Sequence, residues 1–553
     1  MKLIECVPNF SEGRDMAVID AITAEITSVD GAELLDVDPG AATNRTVVTF
    51  VGTPAAVEEA AFRAIAKAGE LIDMTKHTGE HPRMGATDVC PFVPVEGATM
   101  EDCVAIARSL GERVGSELGI PVYLYEHAGL EGRRSLADAR RGEYEALASR
   151  DDAPDFGPAY NATTGATGIG ARRFLIAYNV NLNTTDRRLA HQVASAVRTL
   201  GTATRDENGK IIKNEHGKTV FAPGRFAEVK GVGWYIDEYE RAQVSLNLTD
   251  SSVSPMHEVF EACREEATTR GMRVTGSEIV GLVPLEAMLA AGDHFLSAQG
   301  STRGIPELER IRVAVMSLGL DELGPFDPAD KIIEYRFRGT ADGLVAKTVT
   351  GFVDELSGDS PAPGGGSVAA LAGALSAALS AMVASLTFSK RGMEETRPQM
   401  ESTGRDAQDL KAWFLAAVDR DTDAFNGVLA AIRLPRKSDD DRAVRDQAMA
   451  EANRAATIVP LEVLEHCVEA LDLALVAVRE GNPNSVTDAG VAGACAVAAA
   501  EGASLNVRIN LAGLEGDVSE IVERHDMALA RARSLGVEVA DAVEAVLSRS
   551  VDQ

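Results

Sequence analysis

Apolar and polar positions follow two rhythms along this chain, and the rhythm changes once. In the first 130 residues, short stretches of period two are separated by longer stretches of helical period. Leu3–Phe10, Ala32–Val37, Arg45–Val51, Val89–Val95 and Pro121–Tyr125 read as strands, the third of them rich in β-branched residues. Between them, Met16–Ser28 carries apolar residues at 18, 19, 22 and 26, and Thr53-Pro54 opens a helix to about Ile72 with Pro in its first turn. A further helix lies near 99–118. The order βαββαβ predicts a ferredoxin-like α/β sandwich. Pro91 and Pro94 predict that their strand is an edge or carries a bulge.

A turn-rich stretch over 151–158 leads to Thr163–Gly170, a strand over Phe174–Val180 and a helix from about Asp186, which begin a second α/β unit. Strands near 228–235 and 242–248 and helices near 255–270 and 284–291 complete it by about 337. Gly201–Arg225 is polar, with Asn-Gly and His-Gly turn signals, and reads as an exposed hairpin or loop. After about 345 strand signals nearly vanish. Helix-period runs over 367–388, 404–431, 441–479 and 488–505 predict an all-α bundle. The expected organisation is two ferredoxin-like α/β subdomains, 1–174 and 175–337, a linker over 338–345, and an all-α helical bundle over 346–553. Residues 361–389 carry no charge, but their many Ala and Ser suit close packing in a soluble bundle better than a membrane span.

Composition narrows the functions. At 553 residues and 45% hydrophobic, the chain can build three or four domains and is not disordered. A net charge of −30 disfavours a general nucleic-acid binder but leaves room for a local basic pocket and an anionic small molecule. Six scattered Cys have neither metal-ligand nor disulfide spacing, which predicts reduced thiols in a cytoplasmic protein. Glu5 and the Pro8-Asn9 turn leave no room for the apolar core of an export signal at the start.

Five stretches carry candidate chemistry. In Lys76–Gly85, His77, Glu80 and His81 have the spacing of one zinc-peptidase motif, but Gly79 and Pro82 oppose the helix that motif needs. Acid/base and anion-binding groups, with Arg83, or a solvated polar loop are the other readings. Asp36 and Asp38 share one face of a strand and suit a cationic group, although Asp38-Pro39-Gly40 is also ordinary turn chemistry. Asn9 and Ser11 follow a strand in the same way, and Ser11 suits a helix cap. Gly165–Arg173 has the wrong context for a dinucleotide loop. It either lets backbone approach a ligand beside Arg172 and Arg173 or is a plain loop. Gly364-Gly365-Gly366-Ser367 at a helix start suits an anion, or is a hinge with a Ser cap. Asp421 lies toward an apolar stripe, where burial would raise its pKa, whereas Asp419 and Asp423 read as solvated.

These motifs and their order resemble the formimidoyltransferase-cyclodeaminase family over nearly the whole chain. The most specific pieces are Glu5–Gly13, Gly79–Gly85, Pro363–Ala370, Gly281–Leu285 and Ile332–Tyr335. The resemblance implies transfer of a formimino group from N-formimino-L-glutamate to N5 of tetrahydrofolate, the co-substrate, which is expected in its polyglutamylated form. A second reaction then closes 5-formimino-tetrahydrofolate to 5,10-methenyl-tetrahydrofolate with loss of ammonia. It implies His81 as the transferase acid/base and Asp421 as the cyclodeaminase acid. Its folate segment falls on Gly157, Pro158, Ala159, Tyr160, Asn161, Ala162, Thr163, Thr164 and Gly165, one residue short of the family pattern and without an aromatic before Gly165. The chemistry adds Asp38 for the cationic formimino group and Arg83 or Arg172 for a glutamate carboxylate, with Asn9 as a further substrate-binding candidate. Neither step calls for a metal or nucleotide, and the Ala-rich helix suits a homo-oligomer. An α domain that only oligomerises, or acts as a methenyl-folate cyclohydrolase, is the alternative.

Overall fold

In the computed structural model, which describes every residue except 1, 42, 80, 81, 131–133, 339–342, 552 and 553, the chain divides into two units. One holds residues 1–291 with 314–339, the other 292–313 with 340–553.

The first unit opens with β1 (Ile4–Cys6) and β2 (Asn9–Phe10), two pieces of one strand interrupted at Val7-Pro8. Then come α1 (Met16–Thr27), β3 (Ala32–Gly40), β4 (Arg45–Gly52), α2 (Pro54–Leu71) and β5 (Thr87–Pro94). The strands pair antiparallel, with β1 and β2 between β4 and β5 and with β3 outside β4. This is the expected ferredoxin-like order. After α3 (Met100–Glu117), β6 (Val122–Glu126) and the short helices α4 (Leu136–Ala139) and α5 (Glu143–Ala146), β7 (Thr167–Ala171) inserts parallel between β5 and β6. Ile4, Cys6, Phe10, Val48, Phe50, Cys90, Phe92 and Ile169 form one core with residues of α1, α2 and α3. By the period of two, Glu5, Asn9, Asp38 and Arg172 belong to the opposite face.

Two expectations about this sheet are corrected. β5 is a buried central strand, not an edge, although its register against β2 shifts between Asn9/Val89 and Phe10/Thr87, as the bulge alternative expected. Pro91 is accommodated because the ladder makes one bond there, from the Val7 N–H to the Pro91 carbonyl at 3.2 Å. The bond that Pro91 cannot donate falls at the interruption between β1 and β2. Within the glycine-rich stretch, residues 167–171 form not a loop but the fully buried β7, with Arg172 and Arg173 just beyond its end. A Cβ at Gly170 would lie 2.6 Å from the Tyr125 ring, so the glycine makes room for that side chain.

The rest of this half repeats the topology. β8 (Ile176–Leu182), α6 (Arg187–Val197, capped by Asp186), β11 (Val229–Ile236), β12 (Arg241–Leu248), α7 (Met256–Thr269) and β13 (Val274–Val280) give the sheet order β11-β12-β8-β13, again antiparallel βαββαβ. β9 (Thr202–Ala203) and β10 (Phe221–Ala222) pair in an exposed hairpin, as the turn signals in 201–225 predict. β13 was not expected, because Gly276 and the buried Ser277 break its apolar alternation. α8 (Leu285–Ala298), α9 (Glu307–Leu318), α10 (Pro328–Lys331) and α11 (Ile333–Arg338) follow.

The second unit is helical: besides residues 292–313, which include the end of α8 and the start of α9, it holds α12 (Val349–Leu356), α13 (Gly365–Phe388), α14 (Arg397–Ile432), α15 (Asp439–Glu480), α16 (Val486–Leu511) and α17 (Ser519–Val551). α17 lies beyond the predicted runs. Small residues let α13 approach its neighbours, and at Gly373 a Cβ would fall 2.5 Å from the Phe414 ring of α14. Gly365–Phe388 and Pro483–Leu511 are long and apolar enough to cross a membrane. Ala370, Ala374, Ala377 and Val383 of α13 are nevertheless buried in the bundle core.

Candidate active sites

The second face of the first sheet gathers most of the residues singled out in that half. Asp38 of β3 stands opposite Val47, and Val47 stands opposite Asn9. Asp38 and Asn9 therefore occupy one transverse row, two strand spacings or about 10 Å apart. Asp38 is exposed on the edge strand. Asn9 is buried, and its Nδ2 donates to the Val7 carbonyl at 2.8 Å while Oδ1 has no partner. A fixed, buried acceptor without a donor suits a ligand N–H. Farther along the face, Arg172 donates to the Arg173 carbonyl at 3.0 Å. It also lines a cavity of about 430 Å³ with Tyr125, His127 and Lys230.

Glu5, not singled out from the sequence, lies on the same face opposite Val93. Burial pushes its carboxyl up to about 7, opposed by Arg172 and reinforced by Glu334. The available signal was a single charge within an otherwise apolar strand, between the core-facing Ile4 and Cys6.

The loop between α2 and β5 is braced from three sides. Asn44, at φ +49°, donates from Nδ2 to the Thr78 carbonyl at 3.0 Å. His77 Nε2 lies 3.0 Å from the Asn44 carbonyl, and Arg83 Nε donates to His77 Nδ1 at 3.2 Å. Nδ1 is thus the acceptor and Nε2 carries the proton. Arg83 also donates to both oxygens of Glu145, at 2.9 and 2.7 Å. Its fork is engaged within the chain, which leaves Arg172 as the more open of the two arginines expected to meet a carboxylate. Glu80 and His81 lie outside the described residues. Ser11 is buried and donates to the Gly85 carbonyl at 2.7 Å, while Asp15, not Ser11, caps α1.

Residues 157–165 run beside both ends of this loop. The N–H groups of Met74 and Ala86 donate to the carbonyls of Thr163 and Thr164, each at 2.8 Å. Asn161 Oδ1 accepts from the N–H groups of Thr163 and Thr164, at 3.1 and 3.2 Å. Gly157 and Gly165 have positive φ, and Cβ atoms there would strike the carbonyls of Ile120 and Met84. The backbone is fixed while Pro158, Ala159, Tyr160, Ala162 and Thr163 face outward.

In the second unit two motifs meet. Gly364 is the N-cap of α13, and Gly365, Gly366 and Ser367 form its first turn. Ser367 is not the cap that its position suggested. Its Oγ donates to Asp421 Oδ2 of α14 at 2.9 Å and lies 3.2 Å from Thr422 Oγ1. A Cβ at Gly366 would fall 2.1 Å from Asp421 Oδ1, so the carboxylate rests against the glycine backbone. Burial raises the Asp421 pKa, and the hydroxyl and backbone N–H of Ser367 oppose it. Asn506 of α16 lies beside Gly365 and had no signal in the sequence. Asp423 is exposed, but Asp419 is not merely solvated, because it accepts from the Leu344 N–H at 2.7 Å. Among the described residues no group of three or more His, Cys, Asp or Glu is placed to hold a metal ion.

Comparison with known proteins covers the same regions. Residues 3–172 match the formiminotransferase domain, N-terminal subdomain, residues 177–338 the formiminotransferase domain, and residues 348–526 the formiminotransferase-cyclodeaminase family. The chain is 42% identical over 532 residues to the formimidoyltransferase-cyclodeaminase of Mus musculus, covering 95% of each. The glutamate formimidoyltransferase of Thermoplasma acidophilum is 42% identical over 311 residues, 55% of this chain and 95% of that protein. The methenyltetrahydrofolate cyclohydrolase of Methylorubrum extorquens is 34% identical over 169 residues, 31% of this chain and 81% of that protein.

Proposed function

The chain belongs to the formimidoyltransferase-cyclodeaminase family, and we propose that it catalyses two successive folate reactions. In the first, N5 of tetrahydrofolate attacks the amidine carbon of N-formimino-L-glutamate. The N5 proton passes to His81, which returns it to the departing glutamate nitrogen. Asn9 Oδ1 and the Asp38 carboxylate supply acceptors for the formimino N–H groups, and Arg172 supplies donors for a glutamate carboxylate. Gly157–Gly165 borders the folate, and Arg83 braces the loop that bears His81. In the second reaction N10 attacks the formimino carbon and its proton passes to the former imino nitrogen, Asp421 gives that nitrogen a second proton, and the C–N bond breaks to release ammonia and leave the 5,10-methenyl cation.

The observation that carries the second reaction is the hydrogen bond from Ser367 to Asp421, which joins two motifs 54 residues apart in sequence. A half-buried carboxyl with a raised pKa beside the glycine turn of Gly364–Ser367 suits an acid facing a folate. The domain boundaries that accompany this reading are 1–174, 175–337 and 346–553. The chain works in the cytoplasm on polyglutamylated tetrahydrofolate, without metal, nucleotide, nucleic acid or membrane. It works as a homo-oligomer. α13 leaves Leu375, Met382 and Leu386 exposed at helical spacing, which suits a second copy, and light scattering would test the assembly.

The test is a paired absorbance and ammonia assay with formiminoglutamate and tetrahydrofolate, run on the wild type, His81→Ala and Asp421→Ala. Methenyl-folate and ammonia from the wild type, neither from the first variant, and accumulated 5-formimino-folate from the second are expected. The likeness of the helical part to a cyclohydrolase favours one second reading. Glutamate release without ammonia, together with hydrolysis of added methenyl-folate, would establish that reading in place of the first.

A further inference from the structure

α14 leaves the bundle core just before the residue assigned to catalysis. Its buried stripe runs through Ala407, Leu410, Phe414, Ala417 and Val418. The positions that would continue the stripe, Asp421, Phe425 and Val428, are half-buried or exposed. Apolar packing therefore does not by itself fix the turn that carries Asp421, and polar ties take over. Ser367 holds Asp421 itself. Arg420, stacked over Trp413, donates from Nη1 to Glu462 of α15 at 3.3 Å.

The third tie comes from outside the long helices. The Leu344 N–H donates to Asp419 Oδ1 at 2.7 Å, and the Leu344 side chain is buried in the same core as Phe414 and Val418. The Asp419 carboxylate lies against the Cα of Gly343, where a Cβ would fall 2.5 Å from Oδ2. A backbone N–H donating to an ionised carboxylate is among the stronger hydrogen bonds. Here it is anchored at one end by a buried leucine and left without slack at the other by a glycine.

We propose that Asp419 is a positioning residue for the second reaction, forming with Gly343 and Leu344 a latch that sets the rotation of the α14 turn bearing Asp421. The inference rests on Asp421 being the cyclodeaminase acid. Residues 343 and 344 fall between the segments matched by the transferase and cyclodeaminase families, 177–338 and 348–526. The latch therefore makes the connecting segment a structural part of the second site.

The test uses the full chain and preformed 5-formimino-tetrahydrofolate, measuring ammonia and methenyl-folate across pH for Asp419→Ala, Asp419→Asn, Gly343→Ala and Asp421→Ala. Because a displacement near 1 Å costs on the order of 100-fold, Asp419→Ala and Gly343→Ala should each lower kcat by about tenfold or more. KM should change by less than about threefold, and the pH limb belonging to Asp421 should move. Asp419→Asn keeps the Oδ1 acceptor and should recover kcat to within about threefold of wild type. Should one variant fail to fold, the other still probes the same contact from its opposite partner. An inactive Asp421→Ala beside Asp419→Ala and Gly343→Ala with wild-type kcat and pH profile would overturn the latch. Equal losses in Asp419→Ala and Asp419→Asn would overturn it too, since charge and not the hydrogen bond would then be responsible. A fully active Asp421→Ala would overturn the assignment of the site itself, and the latch with it.

Discussion

The two candidate sites are assembled in opposite ways. On the second face of the first sheet, Asp38 comes from β3, Glu5 and Asn9 from the two pieces of the interrupted strand, and Arg172 from the end of β7, and their relation is set by register alone. No hydrogen bond joins them to one another among the described residues. Beside α13, by contrast, Ser367 and Asp421 touch directly, and a glycine removes the last atom that would hold them apart. A sheet face of this kind is a preformed array awaiting a ligand that supplies the missing partners. The helical site is already closed around Asp421. The sheet-face array should therefore respond to changes in ligand chemistry, and the helical site to changes of a single atom.

The largest expected effects test whether the sites are independent. Asp421→Ala should depress ammonia release by at least about 100-fold, the usual scale for losing a general acid, and leave transfer to tetrahydrofolate unchanged. Loss of both activities in that variant would break the comparison. Gly366→Ala should come next. Its Cβ would fall 2.1 Å from Asp421 Oδ1, whereas at Gly365 the nearest atom, on Asn506, is 3.4 Å away. Ammonia release should fall by about 30-fold or more in Gly366→Ala and by less than about fivefold in Gly365→Ala. Similar kinetics for the two would show that the carboxylate has room to move.

A smaller effect belongs to the sheet face. The Glu5 carboxyl is raised from the ordinary glutamate value of 4.5 to about 7, chiefly by burial. A carboxyl that holds its proton more tightly when folded is most stabilising below the unfolded value and loses that contribution as pH climbs toward the folded value. Stability should therefore decline between about pH 4.5 and 7, by up to roughly 3 kcal/mol. Glu5→Gln should remove this slope and gain up to that amount above pH 7. Denaturant titrations of both proteins across that range would check it. An unchanged slope would mean that Glu5 is paired more effectively with Arg172 than its surroundings indicate.

Legibility from sequence differed between the regions for physical reasons. Period-two alternation placed Asp36 and Asp38 on one face, and β3 holds them so. Alternation found β5 as well, and its prolines announced a bulge that the register shift against β2 bears out. They did not announce its central position, because proline is compatible with a central strand when the neighbouring strand is itself interrupted, as it is at Val7-Pro8. β7 was missed because Gly168 and Gly170 carry no apolar side chain to register, although burial under Met84 and Tyr125 is what their smallness serves. On α14 the helical period placed Asp421 correctly relative to the apolar stripe. The period says nothing about where the stripe ends, so neither the Ser367 contact nor the Leu344 contact to Asp419 was visible. Asn506, on α16, comes beside Gly365 through tertiary packing that leaves no local pattern.

The finest test of the comparison is Ser367→Ala, which removes one hydrogen bond and creates no clash. Burial raises the Asp421 pKa, and donation from Ser367 opposes that by favouring the ionised form. If Asp421 acts as an acid, cyclisation requires its protonated form, so the rate falls as pH rises through its pKa. Without the hydroxyl the carboxylate is less favoured, the pKa rises further, and the falling limb of kcat should move to higher pH. The low-pH plateau should drop by about tenfold or less, the scale of one charge-assisted hydrogen bond spent on orientation. A rising limb that moves in the same direction would identify Asp421 as a base instead. Asp38 offers no such lever. It is exposed on an edge strand, and its role depends on a ligand rather than on a neighbour in the chain, so Asp38→Asn should raise KM for formiminoglutamate without displacing any limb of kcat.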